Sequence, residues 1–141
     1  MDQKIKKVKF LLFEEFKQEH RIKQDLEQLK RDLLIGGKYR TKISFDLSIE
    51  TIGRKESELC IDSVDGTKYF SCGFEYYTES VKGYDDADYQ ILEPGDTVLT
   101  EYVCTYEENG IEQWSTSDPE LMEDLFYFLI DNQKEINDKN K

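Results

Sequence analysis

No stretch of the chain approaches the roughly 18 apolar residues that a membrane-crossing helix requires. Its start, Met1-Asp2-Gln3-Lys4, has neither the apolar run nor the small-residue cleavage site of a secretory signal. The protein is therefore expected to be soluble and cytoplasmic. Histidine occurs once, as His20, within the polar run Lys17-Gln18-Glu19-His20-Arg21 and far along the chain from any cysteine. It reads as a solvated helix residue rather than as half of a Cys–His nucleophile pair. Three cysteines, Cys60, Cys72 and Cys104, cannot all pair within one chain, and no CxxC or His-rich spacing accompanies them. Reduced thiols are expected, without a metal site.

Other chemistries fail on missing residues. There is no phosphate-binding glycine loop, no GxSxG and no HExxH. The acidic run Asp85-Asp86-Ala87-Asp88 has alternating carboxylates, but the sixth position from Asp86 is Ile91, where a calcium loop needs glycine. Carboxylate pairs such as Glu107-Glu108 lack the surrounding aromatics that would suggest glycoside chemistry. The expectation is a protein without catalytic residues, cofactor or metal.

What the sequence has in excess is negative charge. The net charge is −12, and it is unevenly divided. Residues 1–42 carry 12 basic and 7 acidic side chains, while residues 43–141 carry 7 basic and 24 acidic. Such a body repels nucleic acid and membrane phosphates and attracts basic partners. The lysines at 4, 6, 7 and 9 read as a solvated helix face or a local partner contact, since a nucleic-acid binder spreads positive charge over its whole footprint. Leu, Ile, Val and Phe make up about 26% of the 141 residues, above the roughly 20% below which disorder is expected, so one domain with a real core is possible.

The pattern places the elements. Residues 1–35 hold no Gly or Pro and read as one long helix. Its apolar positions are Ile5, Val8, Leu12 and Phe16, then Ile22, Leu26, Leu29 and Leu33, a narrow seam on either side of the polar run. Gly36-Gly37 stops it. From Ile43 to Ile49 every odd position is large and apolar, which predicts a half-buried first strand over residues 39–52. Residues 53–57 read as a polar turn. A second strand follows from Glu58 to Val64, a two-residue type I′ turn at Asp65-Gly66, and a third strand from Thr67 to Tyr77. That turn sets Val64 opposite Thr67, Ile61 opposite Phe70 and Leu59 opposite Cys72 on the dry face, with Asp62 opposite Tyr69 and Cys60 opposite Ser71 on the wet one.

Residues 78–96 read as an irregular loop with a short helix near 85–91. A fourth strand spans Thr97 to Tyr106 and a fifth Ile111 to Ser115. A strict Asn109-Gly110 turn would set Glu107 against Glu112, so a four-residue loop placing Tyr106 opposite Ile111 is preferred. Ser117 and Glu120 fit a capping box for a C-terminal helix over 117–137, with Leu121, Met122, Leu125, Phe128 and Leu129 as its apolar stripe and a frayed polar end from Asn132. The expected fold is α+β: a single acidic domain with a five-stranded antiparallel meander over 39–116 and helices covering one of its faces.

The stretch from Tyr69 to Glu112 carries 11 acidic residues against one basic, Lys82, and nine Tyr and Phe residues, including Tyr76, Tyr77, Tyr102 and Tyr106. Tyrosine supplies rigid contact area at low entropic cost. Carboxylates on one face of a strand stand about 6.8 Å apart, comparable to the charge spacing along a nucleic-acid backbone. The residues expected to bind a partner are Tyr84, Asp85, Asp86, Asp88, Tyr89, Glu107 and Glu108. No family motif is carried, but small inhibitors, toxin-neutralising immunity proteins, phage anti-defence proteins and secretion chaperones share this size and acidity. The functional expectation is a non-enzymatic inhibitor, with nucleic-acid mimicry as one mode of action. Its partner would be a basic protein, a nuclease or other nucleic-acid-binding protein, and not nucleic acid or membrane directly. The alternative is a dimeric chaperone or assembly adaptor gripping its partner through the N-terminal helix seam; the chain itself would be a monomer or a homodimer.

Overall fold

The structure is a computed structural model that describes residues 2–49, 53–84 and 90–141, with side chains described for 14–49, 53–81 and 94–141. Eight elements follow in chain order: α1 (Asp2–Ile35), β1 (Tyr39–Arg40), β2 (Lys55–Ser63), β3 (Lys68–Tyr84), β4 (Gln90–Glu108), β5 (Ile111–Thr116), α2 (Pro119–Asp131) and α3 (Gln133–Lys139). The strands form one antiparallel meander in sequence order. The helices lie against one face of it. No helix among the described residues is long and apolar enough to cross a membrane.

The core forms where the two layers meet. α1 contributes Ile22, Leu26, Leu29 and Leu33, the second block of its seam, all buried. From the sheet come Leu59, Ile61, Phe70, Phe74, Tyr76, Tyr106 and Trp114, and from α2 Met122, Leu125, Phe126 and Leu129. Phe70 stacks on Tyr106 with ring centroids 4.3 Å apart, and Phe126 sits 5.3 Å from both Phe45 and Phe74. Trp114 is buried with its one donor satisfied, its indole N–H donating to Asp25 of α1 at 2.8 Å. Glu14 to Arg21, just before Ile22, are all exposed, and His20 stacks on the exposed Phe16.

Several elements differ from expectation. The first strand ends at Arg40, although burial still alternates, with Ile43 and Phe45 inside and Ser44 and Asp46 outside. Here the backbone bonds go to side chains rather than to a ladder. Asn137 accepts from the Ile43 amide at 2.6 Å and donates to its carbonyl at 2.7 Å. Gln133 accepts from the Phe45 amide at 2.8 Å, and the Tyr76 hydroxyl accepts from the Asp46 amide at 3.0 Å. Residues 50–52 of the expected strand lie outside the described residues. The end that was expected to fray is α3, anchored by the buried Ile136 and by Asn140, whose amide donates to the carbonyls of Leu33 and Ile136 at 2.8 Å each. The C-terminal helix is thus two helices meeting at Asn132, and its cap is Asp118, which accepts from Leu121 N at 3.1 Å, rather than Ser117.

β2 begins at Lys55, inside the expected turn. The predicted pairs from Leu59↔Cys72 to Asp62↔Tyr69 are present, but Val64, expected opposite Thr67 on the dry face, lies in the loop and is half exposed. The turn that makes them is different: only Gly66 has positive φ, +76°, its amide donates to the Ser63 carbonyl, and residues 64–67 close the loop. The type I′ turn occurs instead at Asn109 (φ 53°) and Gly110 (φ 79°), so Glu107 does face Glu112. Both carboxylates reach water, which screens their repulsion, and a bulge after Tyr106 brings that ring opposite Trp114. Most of residues 78–96 is strand too, running as far as the Tyr84↔Gln90 rung. Of the short helix expected near 85–91, residues 85–89 lie outside the described residues, and Gln90 and Ile91 belong to β4.

Candidate functional site

With helices on one side, the other face of the sheet is open. Strand periodicity assigns it the residues that alternate with the core: Glu56, Glu58, Cys60 and Asp62 of β2, Tyr69, Ser71, Gly73 and Glu75 of β3, and Glu101, Val103, Thr105 and Glu107 of β4. The register aligns these into cross-strand rows. Glu56 is opposite Glu75, and Glu75 is opposite Glu101, so three glutamates cross three strands in line at spacings of about 4.8 Å. In the next row Glu58 is opposite Gly73 and Gly73 opposite Val103. Farther along, Asp62, Tyr69, Glu107 and Glu112 form another row, ending at Arg40 on β1.

Gly73 gives this face its shape. Without a side chain in the centre of β3, the sheet dips between Glu58 and Val103. The resulting groove has a volume of about 560 Å³ and is walled by Glu56, Glu58, Glu75, Glu101 and Val103. A Cβ at Gly73 would meet nothing closer than Val103 Cγ1 at 3.6 Å, so the space is real and a side chain there would fill it. Arg54 reaches Glu75 at 3.4 Å. Otherwise the groove presents carboxylates to water.

Such a surface can hold cationic groups electrostatically. The hydroxyl residues Ser57, Thr100, Tyr102 and Ser117 also line the groove beside its glutamates. Among the described residues, no three His, Cys, Asp or Glu side chains are placed to hold a metal ion. Cys60 opens onto this face and its sulfur accepts from the Tyr69 hydroxyl at 3.2 Å, a hydrogen bond that, ahead of burial, raises the Tyr69 pKa.

Of the expected partner residues, three fall among the described residues. Asp85, Asp86, Asp88 and Tyr89 lie outside the described residues, and Tyr84 is at the last described rung of the β3–β4 hairpin. Glu107 and Glu108 are at the other end, on the order of 50 Å of strand contour away. Those two also part company. Glu107 is on the open face, whereas Glu108 turns to the helix side, accepting from the Tyr106 hydroxyl at 2.7 Å and pairing with Arg21 at 3.4 Å. Burial first, and then this carboxylate, raises the Tyr106 pKa well above its usual range. The aromatic content of the stretch divides as well: Phe70, Phe74, Tyr76 and Tyr106 are core.

Glu56, Glu58, Gly73, Glu75 and Glu101 were not singled out from sequence. Part of the signal was there, because extending the predicted β2–β3 register sets Glu56 opposite Glu75 and Glu58 opposite Gly73. Comparison with protein-family models, with curated proteins and with solved structures yields no match.

Proposed function

We propose that the protein is a non-enzymatic inhibitor that binds a basic, nucleic-acid-handling protein through the open face of its sheet. The observation that carries this reading is the carboxylate row Glu56–Glu75–Glu101 beside the Gly73 groove, on a chain of net charge −12. Regularly spaced carboxylates on a rigid sheet complement a cationic nucleic-acid groove. The acidic field speeds encounter in a salt-dependent way. A nuclease or other nucleic-acid-binding protein is the partner this chemistry suits.

The test is affinity capture from a lysate of the cell of origin, with the Glu56→Gln/Glu58→Gln/Glu101→Gln variant as control. The expected outcome is a basic nucleic-acid-handling protein that the native chain retains at low salt and releases at high salt, that the variant fails to retain, and whose activity the native chain inhibits. Equal retention by the variant, or retention through high salt, would sink the proposal. A second reading, an adaptor gripping its partner through α1, draws on the exposed run Glu14–Arg21 and on Phe16 at 65% exposure. Mass in solution separates the two: the dimeric adaptor requires a dimer, and a strict monomer would remove it.

A further inference from the structure

Directly beneath the open face, Cys72 of β3 and Cys104 of β4 are paired in register. Both are buried, at 1% and 0% exposure, and the Cys72 thiol donates to the Cys104 sulfur at 2.8 Å. Directly opposed residues in an antiparallel pair have Cα atoms about 4.5–5.5 Å apart. That lies within the roughly 4.4–6.8 Å that a disulfide spans, so bonding the sulfurs requires little backbone movement. The third cysteine cannot compete within the chain. Cys60 is opposite Ser71, the neighbour of Cys72, and therefore on the other face of the sheet.

We propose that Cys72 and Cys104 are an oxidation site, at which a peroxide joins the two sulfurs into a disulfide that staples β3 to β4 under the acidic groove. One thiolate attacks a peroxide oxygen; the S–O bond forms, the O–O bond breaks, and hydroxide leaves and is protonated to water. The sulfur of the second cysteine then attacks the sulfenic sulfur. The S–S bond forms, the S–O bond breaks, and the departing hydroxide takes the thiol proton as a second water. Two thiols lose two electrons and two protons, and the peroxide is reduced to two waters. Hydrogen bonding to Cys104, and then burial, raises the Cys72 pKa well above the ordinary thiol value, which disfavours the thiolate. The reaction is accordingly slow, and a small uncharged oxidant suits so buried a pair. The bond would join the strands that carry Gly73, Glu75, Glu101 and Val103, fixing the groove's floor and one wall.

The experiment uses the full chain with Cys60→Ser, which removes the exposed thiol and with it disulfides between molecules. The folded protein is treated with hydrogen peroxide, quenched, unfolded in the presence of an alkylating agent and digested with trypsin without reductant. The expected product links peptide 69–82 to peptide 83–134, lighter by two hydrogen atoms than the two thiol peptides together, and dithiothreitol separates it. Recovery of both cysteines alkylated, or of sulfinic and sulfonic acids without a linked pair, would overturn the proposal and leave the two residues as small core fillers.

Discussion

At Gly36 the backbone takes φ +84°, and a Cβ built there would lie 2.8 Å from the Cβ of Lys139 and 2.9 Å from its carbonyl oxygen. The residue therefore both ends α1 and makes room for α3. Gly37 shares the conformation, at φ +85°, but has nothing within 4 Å of a Cβ. Alanine at Gly37 should cost about 1 kcal/mol of stability, the cost of a left-handed backbone alone. Alanine at Gly36 should cost at least twice that, because the close neighbour includes backbone. Equal urea midpoints for the two variants would mean that α3 does not dock there.

Asp65 concerns a single carboxyl group. It accepts from the Ser63 and Thr67 hydroxyls at 2.7 Å each and from the Thr67 amide at 3.0 Å, bonds that lower its pKa from 3.8 to about 2. A folded value below the unfolded one stabilises the protein above the unfolded pKa, and the gain is lost as pH falls through the folded pKa. Asp65→Asn keeps an acceptor oxygen without the charge. The melting-temperature gap between the native chain and this variant should hold steady down to about pH 5 and close between about pH 4 and pH 2. A gap independent of pH would show that the charge does not hold the turn.

Among the elements, the segment after β1 shows how far sequence pattern reaches. The alternation of Ile43, Ser44, Phe45 and Asp46 predicts their burial but not their hydrogen-bond partners, because any extended chain laid on a core produces period two. The partners come from α3, which was illegible: Gln133–Lys139 holds one apolar residue, Ile136, and docks through Gln133 and Asn137. The two tight turns were exchanged for a related reason. Asp-Gly and Asn-Gly both permit a type I′ turn, and the Asp65 side chain or the Tyr106–Trp114 contact, invisible locally, decides which loop forms. The site was half legible. Its β2–β3 part follows from a short hairpin, whereas Glu101 depends on the β3–β4 register, and the sequence between those strands carries no turn signature. Asn137→Ala would leave both backbone groups of Ile43 without partners in a partly buried setting, a loss of about 2–6 kcal/mol at roughly 1–3 per group. Exposed Lys134→Ala should stay within about 0.5 kcal/mol. Comparable denaturation midpoints for the two would mean that α3 does not hold this segment.

For the molecule as a whole, the charge is arranged against its own stability. Like charges directly opposite one another in a sheet destabilise it, and the Glu56–Glu75–Glu101 row has two such contacts, relieved only in part by Arg54. In the proposed reading, the carboxylate row on the open face offsets that cost by supplying a field that attracts a basic partner. Stability and binding should then respond to one substitution in opposite directions. Glu101→Gln removes one repulsive contact and should raise stability by about 0.2–1 kcal/mol at low ionic strength. That gain should fade toward 1 M salt, where the screening length falls to about 3 Å, shorter than the strand spacing. In the low-salt capture assay the same variant should bind the partner more weakly. A Glu101→Gln protein that is more stable yet binds unchanged would place the partner elsewhere on the molecule, and one that is less stable would mean that the row is not under repulsion at all.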